Sequence, residues 1–349
     1  MVAAGLAPGA VAAWGSGPTP ETVGVGATAV GEASPPDPRA TWYDLASLTK
    51  PLVVTTLCLL ARRRGELDLD ILLQELLGET RDTHLGRVTV VRLLTHTSGL
   101  PDWLPLYAIC SRAQEVVAAM AAHPLEAHTG PPVRYSCIGF ILLGMALERV
   151  GGASLDRLFA ERVLEPLGLQ EELGFSPGAE RVVAGSAAVP SVERELTTAL
   201  GEDPERVPPQ APRQPDDGNA RFLGGVAGNA GLFGSAVGVY RLAREYLPGG
   251  GELLRADEAA LATSLGAADQ GGVRALGWQL AASPGCSAGA SLSPAAFGHV
   301  GFTGTSLWAE PLRTTVLVLL ANRHHPGHRG VDLHPLRRRF HTIALRARV

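Results

Sequence analysis

Between Ser47 and Arg64 the chain carries Leu48, Leu52, Val53, Val54, Leu57, Cys58, Leu59 and Leu60 with no polar face among them. A helix that is apolar all round is a buried one, so this stretch has to sit at the centre of the fold with other elements packed around it. At 349 residues, 46% of them hydrophobic, the chain can supply such a core. The spacing predicts one helix from Ser47 to Arg64. Pro51 falls in the first turn, where no internal N–H partner is lost. Arg62 to Arg64 suit the negative C-terminal end, and Gly65 suits the left-handed residue that stops a helix.

Lys50, inside that stretch, is the sole lysine among the 30 lysines and arginines of the chain. A guanidinium stays protonated in proteins, whereas a buried lysine can lose its proton and act as a base. Ser47 and Lys50 are three residues apart, so on a helix they share a face with the amine in reach of the hydroxyl. A serine beside a base is an activated nucleophile. The helix N-terminus adds a positive field where negative charge would develop on a substrate. The bland alternative is a chance Ser-x-x-Lys with Ser47 as a plain cap. An ammonium kept at this position, in a chain otherwise served by arginine, argues for the chemical reading.

The net charge of −4 offers no surplus for neutralising phosphates, which excludes nucleic acid as the main partner. The most apolar run, Pro51 to Ala61, falls well short of the roughly 18 to 20 residues of a membrane span. No Lys or Arg precedes Arg39, so no charged leader is visible and the expectation is a cytoplasmic protein, or an exported one if an upstream segment is missing. Cys58, Cys110, Cys137 and Cys286 follow no paired spacing and read as free thiols. His324, His325, His328 and His334 match no standard zinc pattern. Neither a metal nor another cofactor is expected.

Strand-like runs at Ala10–Trp14 and Thr22–Val30 lead through a Pro-rich loop to the nucleophile stretch. Helical sequence follows at Val90–Leu94, Arg112–Ala122, Ile138–Val150 and Ser154–Leu164. From about Gly174 to Ala220 the chain turns Pro-rich and irregular, and a loop of that length is usually functional or mobile. The glycines from Gly224 to Gly234 read as tight turns before a helix at Val237–Leu247; a phosphate cradle would need a following Lys-Ser/Thr that is absent. Strands return at Arg274–Leu280, Gly298–Gly301, Thr305–Ala309 and Thr314–Leu320, before a last helix at Leu333–Arg346. Strands at both ends and helices between them predict an α+β fold: an antiparallel sheet flanked by helices, with an all-helical lobe inserted. The expected division is a sheet domain of residues 1–65 plus 240–349 and a helical lobe of 66–239 that carries the Pro-rich loop.

In order and spacing the motifs resemble the serine β-lactamase and penicillin-binding protein superfamily, in its class C-like and esterase branch. Ser47-Leu-Thr-Lys50 resembles its first motif. Leu93-Leu-Thr-His-Thr-Ser-Gly-Leu-Pro101 is similar to a landmark loop. Tyr135-Ser136-Cys137 stands where the family has Tyr-x-Asn or Tyr-x-Asp. His299-Val300-Gly301 stands where it has Lys-Thr-Gly or His-Thr-Gly, with Phe302-Thr-Gly-Thr-Ser-Leu-Trp308 following as in esterase-like members. The resemblance implies Ser47 as nucleophile, Lys50 and Tyr135 sharing its proton, and the N–H groups of Ser47 and Phe302 as an oxyanion hole. His299, Gly301 and Cys137 then face the substrate. A tyrosine becomes a base only if cations depress its pKa, a role open to Lys50 and to a protonated His299.

Two departures bear on the substrate. Cys137 replaces an amide or carboxylate with a weak donor and acceptor, and Val300 lacks the hydroxyl of threonine. Both disfavour β-lactam or D-Ala-D-Ala turnover and leave a small ester as the expected substrate. An amide hydrolase and an inactive scaffold are the rival readings.

Overall fold

The run Thr315–Ala321 is buried at every position and apolar at all but its first, and its place in the fold accounts for that. It is an interior strand, third from one edge, of an eight-stranded antiparallel sheet in the computed structural model, which describes residues 2–123, 132–185, 191–324 and 332–347. Numbered along the chain, the strands are β1 (Gly9–Gly15), β2 (Glu21–Gly26), β3 (Tyr43–Asp44), β4 (Leu173–Phe175), β5 (Leu232–Gly234), β6 (Ala267–Asp269), β7 (Gly272–Arg274), β8 (Gln279–Leu280), β9 (Phe297–Val300), β10 (Ser306–Glu310) and β11 (Thr315–Ala321). The large sheet runs β2-β1-β11-β10-β9-β8-β7-β6, and β3-β5-β4 form a small second sheet. Val316, Val318 and Leu320 of β11 face the main core, which includes helix Ala236–Arg244. Leu317 and Leu319 face the other way, where helix His334–Arg346 covers them with Phe340, Ala344 and Leu345. A strand covered on both faces has no use for alternation. The fold is therefore α+β, an antiparallel sheet flanked by helices.

The nucleophile stretch is buried as expected, with Leu48, Leu52, Val53, Val54 and Cys58 fully enclosed. It is not one regular helix. Ala46–Leu48 is a 3₁₀ turn, Lys50–Thr55 a wide π turn, and only Thr56–Arg63 is α-helical. Hydroxyls take the carbonyls a regular helix would use: Thr56 Oγ1 donates to Leu52 O at 2.7 Å and Tyr246 Oη to Pro51 O at 3.1 Å. Inserted polar groups of this kind are what widen a helical turn. Gly65 ends it at φ +70°.

Other expectations need correcting. The irregular region contains β4 and a helix, Ser191–Ala199, whose nine residues include no proline, while residues 186–190 lie outside the described set. The run Arg274–Leu280 is two strands, because Gly277 at φ +73° turns the chain between β7 and β8. Helix Ala256–Thr263 and strand β6 carry no strong periodic signal and went unread. Helix Ala236–Arg244 packs on β1 and β11. Among the described residues no single helix is long and apolar enough to cross a membrane, and all four cysteines are free.

Candidate active site

Ser47 stands in the 3₁₀ turn that opens the buried segment, and the turn is forced by what surrounds it. Ala46 takes a left-handed φ of +47°. Its N–H is held by Asp44 Oδ1 at 2.8 Å and its carbonyl by Thr49 Oγ1 at 2.6 Å. Thr303 Oγ1 donates to Asp44 O at 2.7 Å and Thr305 Oγ1 to Leu45 O at 3.2 Å, which sews the loop after β9 to the nucleophile turn. Positions at the start of a helical turn have no internal partner for their N–H groups. Lys50 is fully enclosed, and its Nζ donates to Ser47 Oγ at 2.9 Å and to the Asn229 carbonyl at 2.9 Å.

That carbonyl reaches the amine because of a glycine. A Cβ on Gly228 would meet Phe140 O at 1.9 Å, so only glycine lets the 228–229 backbone lie against helix Cys137–Gly151. The Asn229 side chain donates to Asp217 Oδ2 at 3.1 Å. Asn229 is thus a carbonyl partner for Lys50, and Asp217 is its anchor. The glycine-rich stretch was the one available signal.

Tyr135 Oη donates to Ser47 Oγ at 2.8 Å. Its seat is the Thr95–Pro101 loop. His96, at φ +59°, accepts the Ser136 N–H on Nδ1 at 3.0 Å, and its ring lies 4.7 Å from that of Tyr135. Ser136 caps helix Cys137–Gly151 by accepting the Gly139 N–H at 3.1 Å, and its hydroxyl donates to Pro101 O at 2.7 Å. Tyr135 is thereby fixed one residue ahead of a capped helix.

The opposite wall is the end of β9. His299 pairs with Leu307 and is buried; its Nδ1 lies 2.9 Å from Val300 O and its Nε2 has no partner. Gly301 is obligatory, since a Cβ there would meet Thr305 Oγ1 at 2.0 Å and Leu45 O at 2.8 Å. Arg337, from the C-terminal helix, donates through Nη2 to Gly301 O and Thr305 O, each at 2.9 Å. Phe302 is half exposed, with the His324 ring at 4.4 Å and the Arg323 guanidinium 4.8 Å above it. His324 in turn bonds Asp216 Oδ2 at 2.5 Å; His325 and His328 lie outside the described residues. A pocket of about 430 Å³ opens over Ser47 and Tyr135, lined on this side by Arg274, His299, Phe302, Arg323, His334 and Arg337. Arg274 was not foreseen. It is 8% exposed and stacks over the Tyr135 ring at 5.6 Å. Cys137, partly exposed, donates its N–H to Asp102 O at 2.8 Å and is not part of the pocket lining. A larger hollow of about 960 Å³, between Met145, Glu148 and Leu223, contains none of these residues.

The electrostatics overturn two expectations. Burial disfavours the Lys50 ammonium, but attraction to the ionised forms of Cys137 and Tyr135, the Tyr135 hydrogen bond and the Asp217 carboxylate outweigh it and hold the lysine pKa above its ordinary value. Burial also raises the Tyr135 phenol, against the pull of Lys50. Both groups are thus held towards their protonated forms, where a neutral amine was expected. His299 is pushed well below the usual imidazole range by burial and by the cations Lys50 and Arg274. It is neutral near pH 7 and supplies no charge to Tyr135.

With this geometry in view, the comparisons with known proteins are specific. A family model described as Beta-lactamase matches residues 1–341. A protein of Escherichia coli O157:H7 named as a D-alanyl-D-alanine carboxypeptidase is 28% identical over 305 residues, which cover 82% of this chain and 70% of that protein. Among solved structures, a class C beta-lactamase superposes with a TM-score of 0.75 at 18% identity, covering 100% of this chain and 93% of the other. EstCE1, a hydrolase with promiscuous acyltransferase activity, superposes at 0.74 with 20% identity over 97% and 94% of the two chains.

Proposed function

The chain belongs to the Beta-lactamase family of serine hydrolases, and on that premise we propose that it cleaves small carboxylic esters through an acyl-enzyme on Ser47. The observation that carries this reading is the position of Ser47 Oγ, which accepts hydrogen bonds from Lys50 Nζ at 2.9 Å and Tyr135 Oη at 2.8 Å. Attack requires the Lys50–Tyr135 pair to have lost one proton. The pair then takes the Ser47 proton as the Oγ–carbonyl bond forms, and returns it to the leaving alkoxide. The N–H groups of Ser47 and Phe302 would receive the oxyanion, a contribution of about 3 to 4 kcal/mol per donor. Water releases the acid and frees the serine. The absence of a hydroxyl at Val300, which lines the pocket, favours esters over amides.

The experiment is intact-mass analysis after a fluorophosphonate, alongside turnover of p-nitrophenyl acetate. A single adduct and hydrolysis, both lost in Ser47→Ala, support the reading. No adduct and no turnover between pH 6 and 10 would leave a binding scaffold as the better account.

A second reading has its own observation. Arg323, Arg337 and His334 line the mouth against the single acid Asp332, which suits a substrate carboxylate. An amide hydrolase acting on carboxylate-terminated D-peptides would fit that mouth. Faster release of D-alanine from a D-alanyl-D-alanine peptide than of p-nitrophenol from the ester would make it the better one.

A further inference from the structure

Tyr135 is faced from every side by titratable or charged groups. Lys50 Nζ lies 5.0 Å from its ring centroid and the Arg274 guanidinium 5.6 Å. The His96 and His299 rings lie at 4.7 and 5.8 Å, and Cys137 follows two residues on. Asp217 acts on the same group through Lys50, and Arg337 acts on His299. Both imidazoles are held neutral by burial and by the neighbouring cations. The charges left to stabilise a phenolate are therefore Lys50 and Arg274.

Arg274 is an unusual residue to bury. It is 8% exposed and forms no ion pair among the described residues, and its Nε has no hydrogen-bond partner. An enclosed cation without a carboxylate is costly, so something else has to account for its place. Its guanidinium cannot be discharged as an imidazole can. Burial lowers its pKa and a charge on Tyr135 raises it, which is the reciprocal sign of one group stabilising the other's ionised form. β7 delivers it: Arg274 pairs with Gln279 of β8 across the Gly277 turn, and both side chains line the pocket.

We propose that Arg274 is the positioning residue that holds Tyr135 in its ionisable, proton-accepting state, supplying from β7 the permanent cation that a neutral His299 does not supply from β9. The inference rests on the serine-hydrolase reading. It separates Arg274, which serves the proton acceptor, from Arg323 and Arg337, which face the substrate.

The test is the pH dependence of kcat/KM for Arg274→Gln and Arg274→Lys on two esters, p-nitrophenyl acetate and a mono-p-nitrophenyl ester of a dicarboxylic acid. In Arg274→Gln the rising alkaline limb should move to higher pH, with a loss on the order of tenfold at pH 8, equivalent to a one-unit shift. The loss should be the same for the neutral and the acid-bearing ester and should shrink towards high pH. Arg274→Lys should restore much of the limb. A loss confined to the acid-bearing ester, expressed in KM with the limb unmoved, would overturn the proposal and make Arg274 a substrate contact. An equal loss at all pH values that Lys does not rescue would also overturn it, as a packing effect. Fluorophosphonate labelling of the parent protein keeps the two readings apart: a parent that labels while Arg274→Gln leaves the limb in place sinks this inference alone.

Discussion

The two walls of the pocket are built on opposite terms. On the helical side, the polar heads that face the nucleophile are paired with one another: Lys50 with Ser47 and Asn229, Tyr135 with Ser47, Asn229 with Asp217. On the sheet side, His299 Nε2, Arg274 Nε and Arg337 Nε are buried without partners. Buried polar groups are normally satisfied, and leaving one unpaired costs about 1 to 3 kcal/mol. The contrast teaches a division of labour. One wall pairs Ser47, Lys50 and Tyr135 with one another and is set up for moving a proton, with His96 Nε2 and Asn229 Oδ1 unpaired but outside the pocket lining; on the other the unpaired polar atoms belong to side chains that line the pocket.

The sharpest way to break that contrast is Lys50→Arg on the paired wall. A guanidinium cannot give up its proton, and its planar fork does not fit between Ser47 Oγ and Asn229 O. Ester turnover should fall at least about 10³-fold, within the range lost when the base of a Ser nucleophile is removed, with fluorophosphonate labelling slowed in step. Gly301→Ala, on the other wall, comes next. Its Cβ collides with Thr305 Oγ1 and the Leu45 carbonyl, which displaces both arms of the oxyanion site at once. A drop of about 10²-fold in kcat, with KM little altered, is the expected result. Arg323→Gln tests the cations lining the sheet-side wall at a smaller scale. KM for the acid-bearing ester should rise roughly tenfold, the cost of one hydrogen bond to a charged group, while the neutral ester is unaffected.

The smallest effect is on stability. Burial and Asp216 lift Asp44 to about 7, with backbone hydrogen bonds opposing them. A carboxyl whose folded pKa is raised contributes stability below its unfolded value near 4, and that contribution is lost as pH rises through 7. His341, lowered to about 4 by burial, runs the other way: its contribution is present above about 6.5 and lost as pH falls towards 4. Over the same window the two oppose each other. In Asp44→Asn the carboxyl's opposing slope is removed, so Tm should gain a few degrees on the parent between pH 5 and 8, as read by calorimetry.

How much of the site was legible follows from sequence distance. Ser47 and Lys50 are three residues apart, and Gly301 and Phe302 are neighbours, so local spacing could place them. Tyr135 and His299 were found through motif order. Arg274, Asn229 and Asp217 were not found, since their partners are over 100 residues away, apart from the Asp217–Asn229 link itself. The helical turn at the nucleophile was misjudged for a similar reason: Tyr246, 195 residues from Pro51, takes a carbonyl that local propensity would assign to the helix.

By itself the sequence determined that an apolar helix lies buried with one amine beside one hydroxyl, and that strands from both chain ends close a sheet around it. Those are matters of periodicity and composition, which every residue carries wherever the chain goes. Only the tertiary structure decided the charge on that amine and the neutrality of His299. Protonation depends on burial and on the summed field of groups brought close by folding, and no residue carries either of those alone.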